Sequence, residues 1–159
     1  MPIVARAVFG IVNWRARRGL AEDAPVDSAK HAALRTGVRG ETYAYWYLRR
    51  CGYVIVSRNF TVPGVKGEID LAGYDGKVLA FVEVKTRSMD SEKGDGLSLP
   101  EDAITPSKKR ALARMARVFM AEWRIPNAPC RFDVLAIESR AGQKPVLRLH
   151  KDCFGISGR

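Results

Sequence analysis

The spacing of apolar residues along the chain predicts helices and strands in a definite order. Apolar side chains recur every three or four positions over residues 38–51 and 106–123, which is the period of a helix that buries one face. Shorter apolar runs bounded by turn residues predict five strands: 53–60, the two arms of a hairpin within 67–87, 131–138 and 145–150. The order helix, three strands, helix, two strands predicts an α/β sandwich, in which helices flank a mixed β-sheet.

Local signals mark where several of these elements begin and end. Gly52 is expected to end the first helix as a C-cap, because glycine accepts the left-handed conformation found there. Thr105 is suited to cap the second helix, with Pro106 at its first position. The predicted apolar stripe of that helix comprises Leu112, Met115, Ala116, Phe119 and Trp123. Residues 88–102 lack periodicity and are rich in Gly, Ser and Asp, so they predict a mobile loop beside the hairpin.

The hairpin carries charged side chains where a buried strand would carry apolar ones. Because strand residues alternate between faces, Glu68 and Asp70 share one face of the first arm, and Glu83 and Lys85 share one face of the second. A solvent-exposed ribbon with Glu and Lys pairs is the ordinary alternative. The run VLAFVEVK at 78–85 is mostly large and apolar, which favours a buried strand.

The turn of the hairpin predicts how these charges are arranged. If Asp75 and Gly76 are the central residues of a type I′ turn, Asp70 pairs with Phe81 and lies diagonal to Glu83. The two backbones would then be about 7–8 Å apart, a distance that two carboxylates can bridge through one cation. We therefore expect the charged groups of the hairpin to point the same way.

Buried carboxylates of like charge are costly unless a cation lies between them. Oxygen ligands with open coordination positions suit Mg²⁺, or Mn²⁺ in its place, so Asp70 and Glu83 are the predicted metal ligands. Such a site is suited to hydrolyse phosphodiesters, because the metal activates a water and neutralises charge on the leaving oxygen. Lys85 would orient that water or stabilise the transition state.

Glu41 is a second anomalous carboxylate, because it lies on the helical stripe that should face the sheet. Ala44, Tyr45 and Leu48 follow it at i+3, i+4 and i+7. The side chain could join the metal shell or its water network. Equally, an acid near a helix start interacts favourably with the helix dipole. The sequence leaves both explanations open.

The chain is strongly basic, with 27 Lys and Arg against 17 Asp and Glu and a formal charge of +10. That balance favours a polyanionic partner such as DNA or RNA, or an anionic membrane surface. Basic residues on the second helix, outside its apolar stripe, are predicted to bind the phosphate backbone: Lys108, Lys109, Arg110 and Arg114. A solvated basic face without a specific contact is the alternative.

The remaining composition narrows the class of protein. Cys51, Cys130 and Cys153 show no CxxC spacing and are odd in number, so neither a zinc site nor a disulfide framework is predicted, and a cytoplasmic location is expected. No apolar run approaches the roughly 20 residues that span a bilayer, so no stable membrane insertion is expected. Residues 1–34 are predicted to be a basic extension and linker, and 35–159 the globular domain.

Several segments resemble a known pattern. Asp70 followed by Glu83-Val84-Lys85 resembles the D…(D/E)xK signature of the restriction-endonuclease-like nuclease superfamily. A longer series is similar, in the same order, to the YraN-like family of predicted bacterial endonucleases: Gly40-Glu41, Arg58-Asn59-Phe60, Gly67 to Leu71, Phe81 to Arg87, Ala103 to Pro106 with Lys108 to Arg110, and Arg131-Phe132-Asp133. The resemblance covers about residues 35–154.

The resemblance implies a restriction-endonuclease-like sandwich of the archaeal Holliday-resolvase type, which makes 35–159 a nuclease-like domain. It implies the active-site set Glu41, Asp70, Glu83 and Lys85. Lys108 or Lys109 would take a supporting position on the second helix. The expected function is Mg²⁺-dependent endonucleolytic cleavage of structured or branched DNA, and the alternative is a module that binds nucleic acid or assists DNA processing without cleavage. Symmetric cutting of two strands, as in a resolvase, would require a homodimer.

Overall fold

The computed structural model describes residues 29–88, 104–140 and 143–155. Its elements are α1 (Ala29–Arg50), β1 (Val54–Phe60), β2 (Ile69–Asp75), β3 (Val78–Ser88), α2 (Pro106–Glu122), β4 (Cys130–Ser139) and β5 (Val146–Phe154). Their order confirms the predicted succession of helix, three strands, helix and two strands. Of the predicted extension and mobile loop, residues 1–28 and 89–102 lie outside the described residues.

A five-stranded mixed sheet forms the centre of the fold, as predicted. The strand order is β1-β2-β3-β4-β5, and neighbours are antiparallel except for β3 and β4, which are parallel. Parallel neighbours need a crossover connection, and α2 lies in the connection between these two strands. Neither helix within the described residues combines the length and the apolar content that crossing a membrane requires.

The helices α1 and α2 pack against opposite faces of the sheet. Because alternate residues of β3 point to opposite sides, Phe81 belongs to one hydrophobic cluster, together with Met115 and Phe119 of α2. Val82 belongs to the other cluster, together with Tyr43 of α1. This arrangement is the α/β sandwich predicted from the sequence, and it is consistent with the restriction-endonuclease-like architecture.

Helix α1 begins earlier than the sequence predicts, at Ala29 rather than at residue 38. The added part has no long apolar stripe, but its alanines and Leu34 are strong helix formers. Helix α1 therefore runs across the predicted boundary between residues 34 and 35, and the division into an extension with linker and a globular domain stays a prediction. The helix ends as predicted, because Gly52 adopts a left-handed conformation with φ of 98°.

Helix α2 begins as predicted, with the Thr105 hydroxyl accepting the backbone N–H of Lys108 at 3.3 Å. Its buried residues are Leu112, Ala113, Met115, Ala116, Phe119 and Met120. Trp123 was predicted to complete this stripe, but 47% of its surface is exposed. The helix ends one residue earlier, so Trp123 leaves the stripe and stacks on the Phe119 ring, with the centroids 5.0 Å apart.

The turn of the hairpin lies one residue later than predicted. Asp75 is the last paired residue of β2, so Gly76 and Lys77 are the central residues of the turn. Of these two, only Gly76 has a positive φ, of 62°, whereas a type I′ turn requires positive φ at both positions. The predicted turn is therefore wrong. Asp75 instead stays in the strand, where its carboxylate forms ion pairs with Arg131 and Lys151.

The shifted turn brings the predicted metal ligands directly opposite each other on neighbouring strands. Leu71 pairs with Val82, so the next residue along each strand brings Asp70 level with Glu83 instead of Phe81. The predicted diagonal arrangement is wrong. The two carboxylates still share one face of the sheet, because a shift by one residue on both strands preserves the alternation of side chains.

Gly40 allows α1 to approach β3 closely. A Cβ atom at Gly40 would lie 2.1 Å from Oγ1 and 3.3 Å from Cβ of Thr86. The helix needs glycine here, although glycine is ordinarily a weak helix former. The close approach brings the next residue of α1, Glu41, toward the strand that carries Glu83 and Lys85.

Replacing Gly40 by alanine should destabilise the protein by about 1–3 kcal/mol, because the added methyl group overlaps Thr86. The expected sign is opposite to the gain of about 1 kcal/mol that this change gives in an open helix. Chemical denaturation of wild type, Gly40→Ala and the double variant with Thr86→Ala measures the effect. The double variant should recover part of the loss, and a Gly40→Ala protein as stable as wild type would contradict the close approach.

Candidate active site

Two carboxylates are buried side by side where β2 begins beside β3. Asp70, near the start of β2, and Glu83, in the middle of β3, are only 8% and 6% exposed. Oδ2 of Asp70 accepts the backbone N–H of Val84 at 2.6 Å, so the β3 backbone fixes Asp70 next to Glu83. Two acids stay buried together only if their charges are compensated or one of them is protonated.

Two lysines converge on Glu83. The Nζ atom of Lys85, on the same face of β3, lies 2.9 Å from Oε1 of Glu83, and the Nζ atom of Lys108 on α2 lies 3.2 Å from the same oxygen. The other oxygen, Oε2, is buried and has no hydrogen-bond partner among the residues that the structure describes. A buried acceptor without a partner is costly, so this oxygen is suited to bind a cation.

The environment of Asp70 raises its pKa to about 7. Burial is the largest cause, because it disfavours the charged carboxylate, and the negative charge of Glu83 is the next. The N–H of Val84 and the ammonium of Lys108 oppose the increase, and the charge of Glu41 adds to it. Near neutral pH a proton therefore occupies Asp70 for part of the time.

Glu41 is held in place by an asparagine of β1. Nδ2 of Asn59 donates a hydrogen bond to Oε2 of Glu41 at 2.8 Å. Asn59 has φ of 50°, in the left-handed region that asparagine tolerates better than most residues. Glu41 lies in the interior of α1, which begins at Ala29, so its explanation as a helix-start acid is wrong. Its charge acts instead on Asp70.

The predicted site residues fall into two groups. One group shares the contacts and charge interactions just described: Glu41, Asp70, Glu83, Lys85 and Lys108. In the other group, Nζ of Lys109 lies over the Phe154 ring, 5.4 Å from its centre, and Arg110 and Arg114 are exposed. The role of this second group in binding phosphates stays a prediction.

Asn59 is a residue of this site that periodicity and charge did not single out. The resemblance to the YraN-like family includes it only as the middle residue of the segment Arg58-Asn59-Phe60. A local signal was nevertheless present, because asparagine is disfavoured in strands and tolerates left-handed backbone. An asparagine inside the predicted strand 53–60 therefore indicated a special backbone position, although not its contact with Glu41.

The donor set limits which metal could bind. No group of three or more His, Cys, Asp or Glu side chains in the described part of the chain lies close enough to hold an ion. Asp70 and Glu83 offer a carboxylate pair, and Mg²⁺ commonly uses one or two carboxylates and completes its shell with water and substrate phosphate. The unpartnered Oε2 of Glu83 fits such an ion, whereas nitrogen and sulfur ligands would be expected for zinc.

A further buried carboxylate, Asp133, has a structural role. It accepts hydrogen bonds from the Tyr53 hydroxyl at 2.9 Å, from Nε of Arg131 at 2.8 Å and from the backbone N–H of Asp152 at 2.9 Å. These three contacts make Asp133 a hydrogen-bonding group that joins the strands around it. Burial and the charge of Asp133 raise the pKa of Tyr53, so its hydroxyl remains protonated.

The sequence profile described as "Uncharacterised protein family UPF0102" matches residues 40–137, which include every residue of the first group. The chain belongs to this family. A UPF0102 protein of Koribacter versatilis (strain Ellin345) is 38% identical over 132 residues, which are 83% of this chain and 86% of that protein. One of Geobacter sulfurreducens is 41% identical over 133 residues, which are 84% and 98% of the two chains.

A UPF0102 protein of Symbiobacterium thermophilum is also similar, with 41% identity over 120 residues that cover 76% of this chain and 96% of the relative. UPF0102 is the YraN-like group of predicted endonucleases, so the resemblance seen in the sequence motifs is confirmed. Membership of UPF0102 leaves the activity to be argued from the site.

The raised pKa of Asp70 predicts that the metal-free protein becomes less stable as pH rises. In the unfolded chain Asp70 loses its proton near pH 4, whereas in the folded protein it keeps the proton to about pH 7. Between these values the folded state binds more protons, so the free energy of unfolding decreases with rising pH and levels off above about pH 7. Asp70→Asn should remove most of this decrease.

Urea denaturation in EDTA at about pH 5 and about pH 8 measures the effect. At the higher pH, Asp70→Asn should be more stable than wild type by up to about 4 kcal/mol, since each unit between the two pKa values corresponds to about 1.4 kcal/mol. Glu122→Gln, which neutralises an exposed acid at the far end of α2, should follow wild type. An Asp70→Asn protein with the wild-type pH dependence would show that the carboxyl of Asp70 titrates normally.

Proposed function

We propose that this UPF0102 protein is a metal-dependent endonuclease that hydrolyses phosphodiester bonds of structured or branched DNA. The observation that carries the proposal is the buried pair of Asp70 and Glu83, in which one Glu83 oxygen has no partner among the described residues. A core does not keep two acids together without a cation or a proton. Mg²⁺, or Mn²⁺ in its place, is the cofactor that suits two carboxylates and open positions.

Asp70 and Glu83 would hold the ion between them. When bound there, the metal would activate a water for attack and neutralise charge on the scissile phosphate. Asp70 has to lose its proton before it can act as a ligand, and a pKa of about 7 allows this loss at physiological pH. Glu41, fixed by Asn59, would accept hydrogen bonds from water at the edge of the site.

Lys85 and Lys108 would act on the substrate. Their side chains are 36% and 31% exposed, so each ammonium can turn from Glu83 to a phosphate oxygen. We assign Lys85 to orienting the attacking water and stabilising the charge that develops on the phosphate. Lys108 lies in the first turn of α2, where the helix dipole favours an anion, and we assign it to binding the phosphate.

The proposed substrate surface extends along α2. Arg110 and Arg114 are exposed on that helix, and with Lys109 they would contact the DNA backbone. The net charge of +10 supports a nucleic-acid partner, of which DNA is the one proposed and RNA the alternative. We further propose a cytoplasmic location, and a homodimer if both strands of a junction are cut symmetrically.

A nucleic-acid-binding or DNA-processing accessory module without cleavage is the second candidate function, and one observation favours it. Glu83 already pairs with both Lys85 and Lys108. The charge of that carboxylate is therefore compensated without a metal ion. In this case the site would be a structural ion-pair cluster, and only the basic surface would act on the nucleic acid.

Titration of Mg²⁺ or Mn²⁺ by calorimetry, combined with thermal melting, tests the metal site. Wild type should bind the ion and become more stable, as any ligand of the native state requires. Asp70→Asn and Glu83→Gln should lose both responses. Lys85→Ala should keep them, because an ammonium is not a ligand, yet cleave at least about 100-fold more slowly. Glu122→Gln should match wild type throughout.

Cleavage is measured on linear, flapped and four-way-junction DNA with Mg²⁺, Mn²⁺ or EDTA. We expect cleavage only with metal, and faster on the flapped or junction DNA than on the linear duplex. Equal metal responses in wild type, Asp70→Asn and Glu83→Gln would rule out the metal site. Metal binding without cleavage of any of the three DNA forms would favour the binding module.

A further inference from the structure

A set of residues on α1 and β1 lies next to Glu41, and no step described above uses it. Tyr45 and Arg49 follow Glu41 by four and eight residues along one side of α1. Nη1 of Arg49 donates a hydrogen bond to the Tyr45 hydroxyl at 2.7 Å. From β1, Arg58 lies over the Tyr45 ring, with its Cζ atom 5.0 Å from the ring centre. We call Tyr45, Arg49 and Arg58 the arginine track.

The arginine track is joined to the candidate active site through one short piece of β1. Arg58 and Asn59 are neighbours in sequence, and the first contacts Tyr45 while the second donates to Glu41. From Glu41 to Arg49 the distance along the helix is about 12 Å, at a rise of about 1.5 Å per residue. This length corresponds to the rise of about three to four base pairs along the axis of a DNA duplex, at about 3.4 Å each.

Within the described residues, no acid pairs with an arginine of the arginine track. Arg131 and Arg148 each pair with a carboxylate. Of the ion pairs formed between described residues, none includes Arg49 or Arg58. Both guanidinium groups instead lie against the Tyr45 ring, Arg49 at 5.5 Å and Arg58 at 5.0 Å from its centre.

An aromatic ring positions a guanidinium group without removing its charge. Two like charges held against one ring repel each other, so the arrangement is more favourable when an anion lies between or above them. The planar guanidinium group matches the geometry of a phosphate and can bind it through two parallel hydrogen bonds. The arginine track therefore has the properties of a preformed site for successive phosphates of one strand.

We propose that the arginine track binds the DNA strand on one side of the phosphodiester bond cleaved at the candidate active site. Arg49 and Arg58 contact phosphates of that strand, and Tyr45 is a positioning residue that holds both guanidinium groups. The inference rests on the proposed function. It adds the direction in which the bound DNA strand extends from the site, along α1 away from Glu41.

The test is DNA binding without metal, so that cleavage does not enter the measurement. Fluorescence anisotropy with a labelled four-way junction and a labelled single strand, at several salt concentrations, compares wild type with Arg49→Ala and Arg58→Ala. The matched control is Arg148→Ala. It removes the same charge from β5, the opposite edge of the sheet from β1, where Arg148 pairs with Glu138. Thermal melting checks that each variant is folded.

Each arginine substitution in the track should weaken binding by about three- to eightfold near 0.1 M salt and lower the slope of log affinity against log salt by about 0.7–0.9. Arg148→Ala should change affinity by about twofold at most. Tyr45→Phe keeps the ring under Arg58 and loses only the hydroxyl that Arg49 uses, so it should weaken binding less than Tyr45→Leu. A purely structural role of Tyr45 would leave the salt slope unchanged in both variants and would overturn its positioning role.

Cleavage assays in parallel separate this inference from the proposed function. If wild type cleaves DNA and Arg58→Ala binds as Arg148→Ala does, the nuclease proposal stands and the arginine track is wrong, because net charge alone explains the binding. If no DNA form is cleaved but Arg49→Ala and Arg58→Ala selectively lose affinity, the arginine track stands as a binding surface and the nuclease proposal falls.

Discussion

The burial of two carboxylates next to each other on the central sheet is the constraint on which the arrangement around the site depends. Water does not solvate the buried carboxyl groups of Asp70 and Glu83, so each needs a partner supplied by the fold. The β3 backbone donates to Asp70, Lys85 of the same strand approaches Glu83, and Lys108 brings the first turn of α2 to it. Two strands and a helix therefore converge on the pair.

Helix α1 contributes to the site through close packing and one hydrogen bond. The absence of a side chain at Gly40 lets the helix lie against Thr86 of β3, and the next residue, Glu41, is then near enough for its charge to raise the pKa of Asp70. Asn59 fixes the direction of the Glu41 side chain from β1. A glycine and an asparagine, both poor residues for their own elements, are thus explained by the position that they give to one carboxylate.

Local patterns predicted the order of the elements because alternation and helical spacing depend only on which side of each element is buried. These patterns failed where residues distant in sequence determine the local structure. The Asp75-Gly76 pair indicates a type I′ turn locally, but Arg131 and Lys151 hold Asp75 in the strand, and both come from later strands. The prediction that Asp70 and Glu83 share one face of the sheet is correct despite this error, because the shift leaves the alternation of side chains unchanged. The contact between Asn59 and Glu41 likewise depends on how α1 packs, which no local pattern contains.

Charge balance relates the metal-free site to the proposed reaction. With Asp70 ionised, the site contains the three carboxylates of Glu41, Asp70 and Glu83. The two ammonium groups of Lys85 and Lys108 oppose them, which leaves one net negative charge. A divalent cation would reverse that excess to one positive charge, and a phosphodiester would then neutralise it. The site would be electrically balanced either with metal and phosphate together or, without them, with a proton on Asp70. The second state is the one that the raised pKa of Asp70 favours near neutral pH.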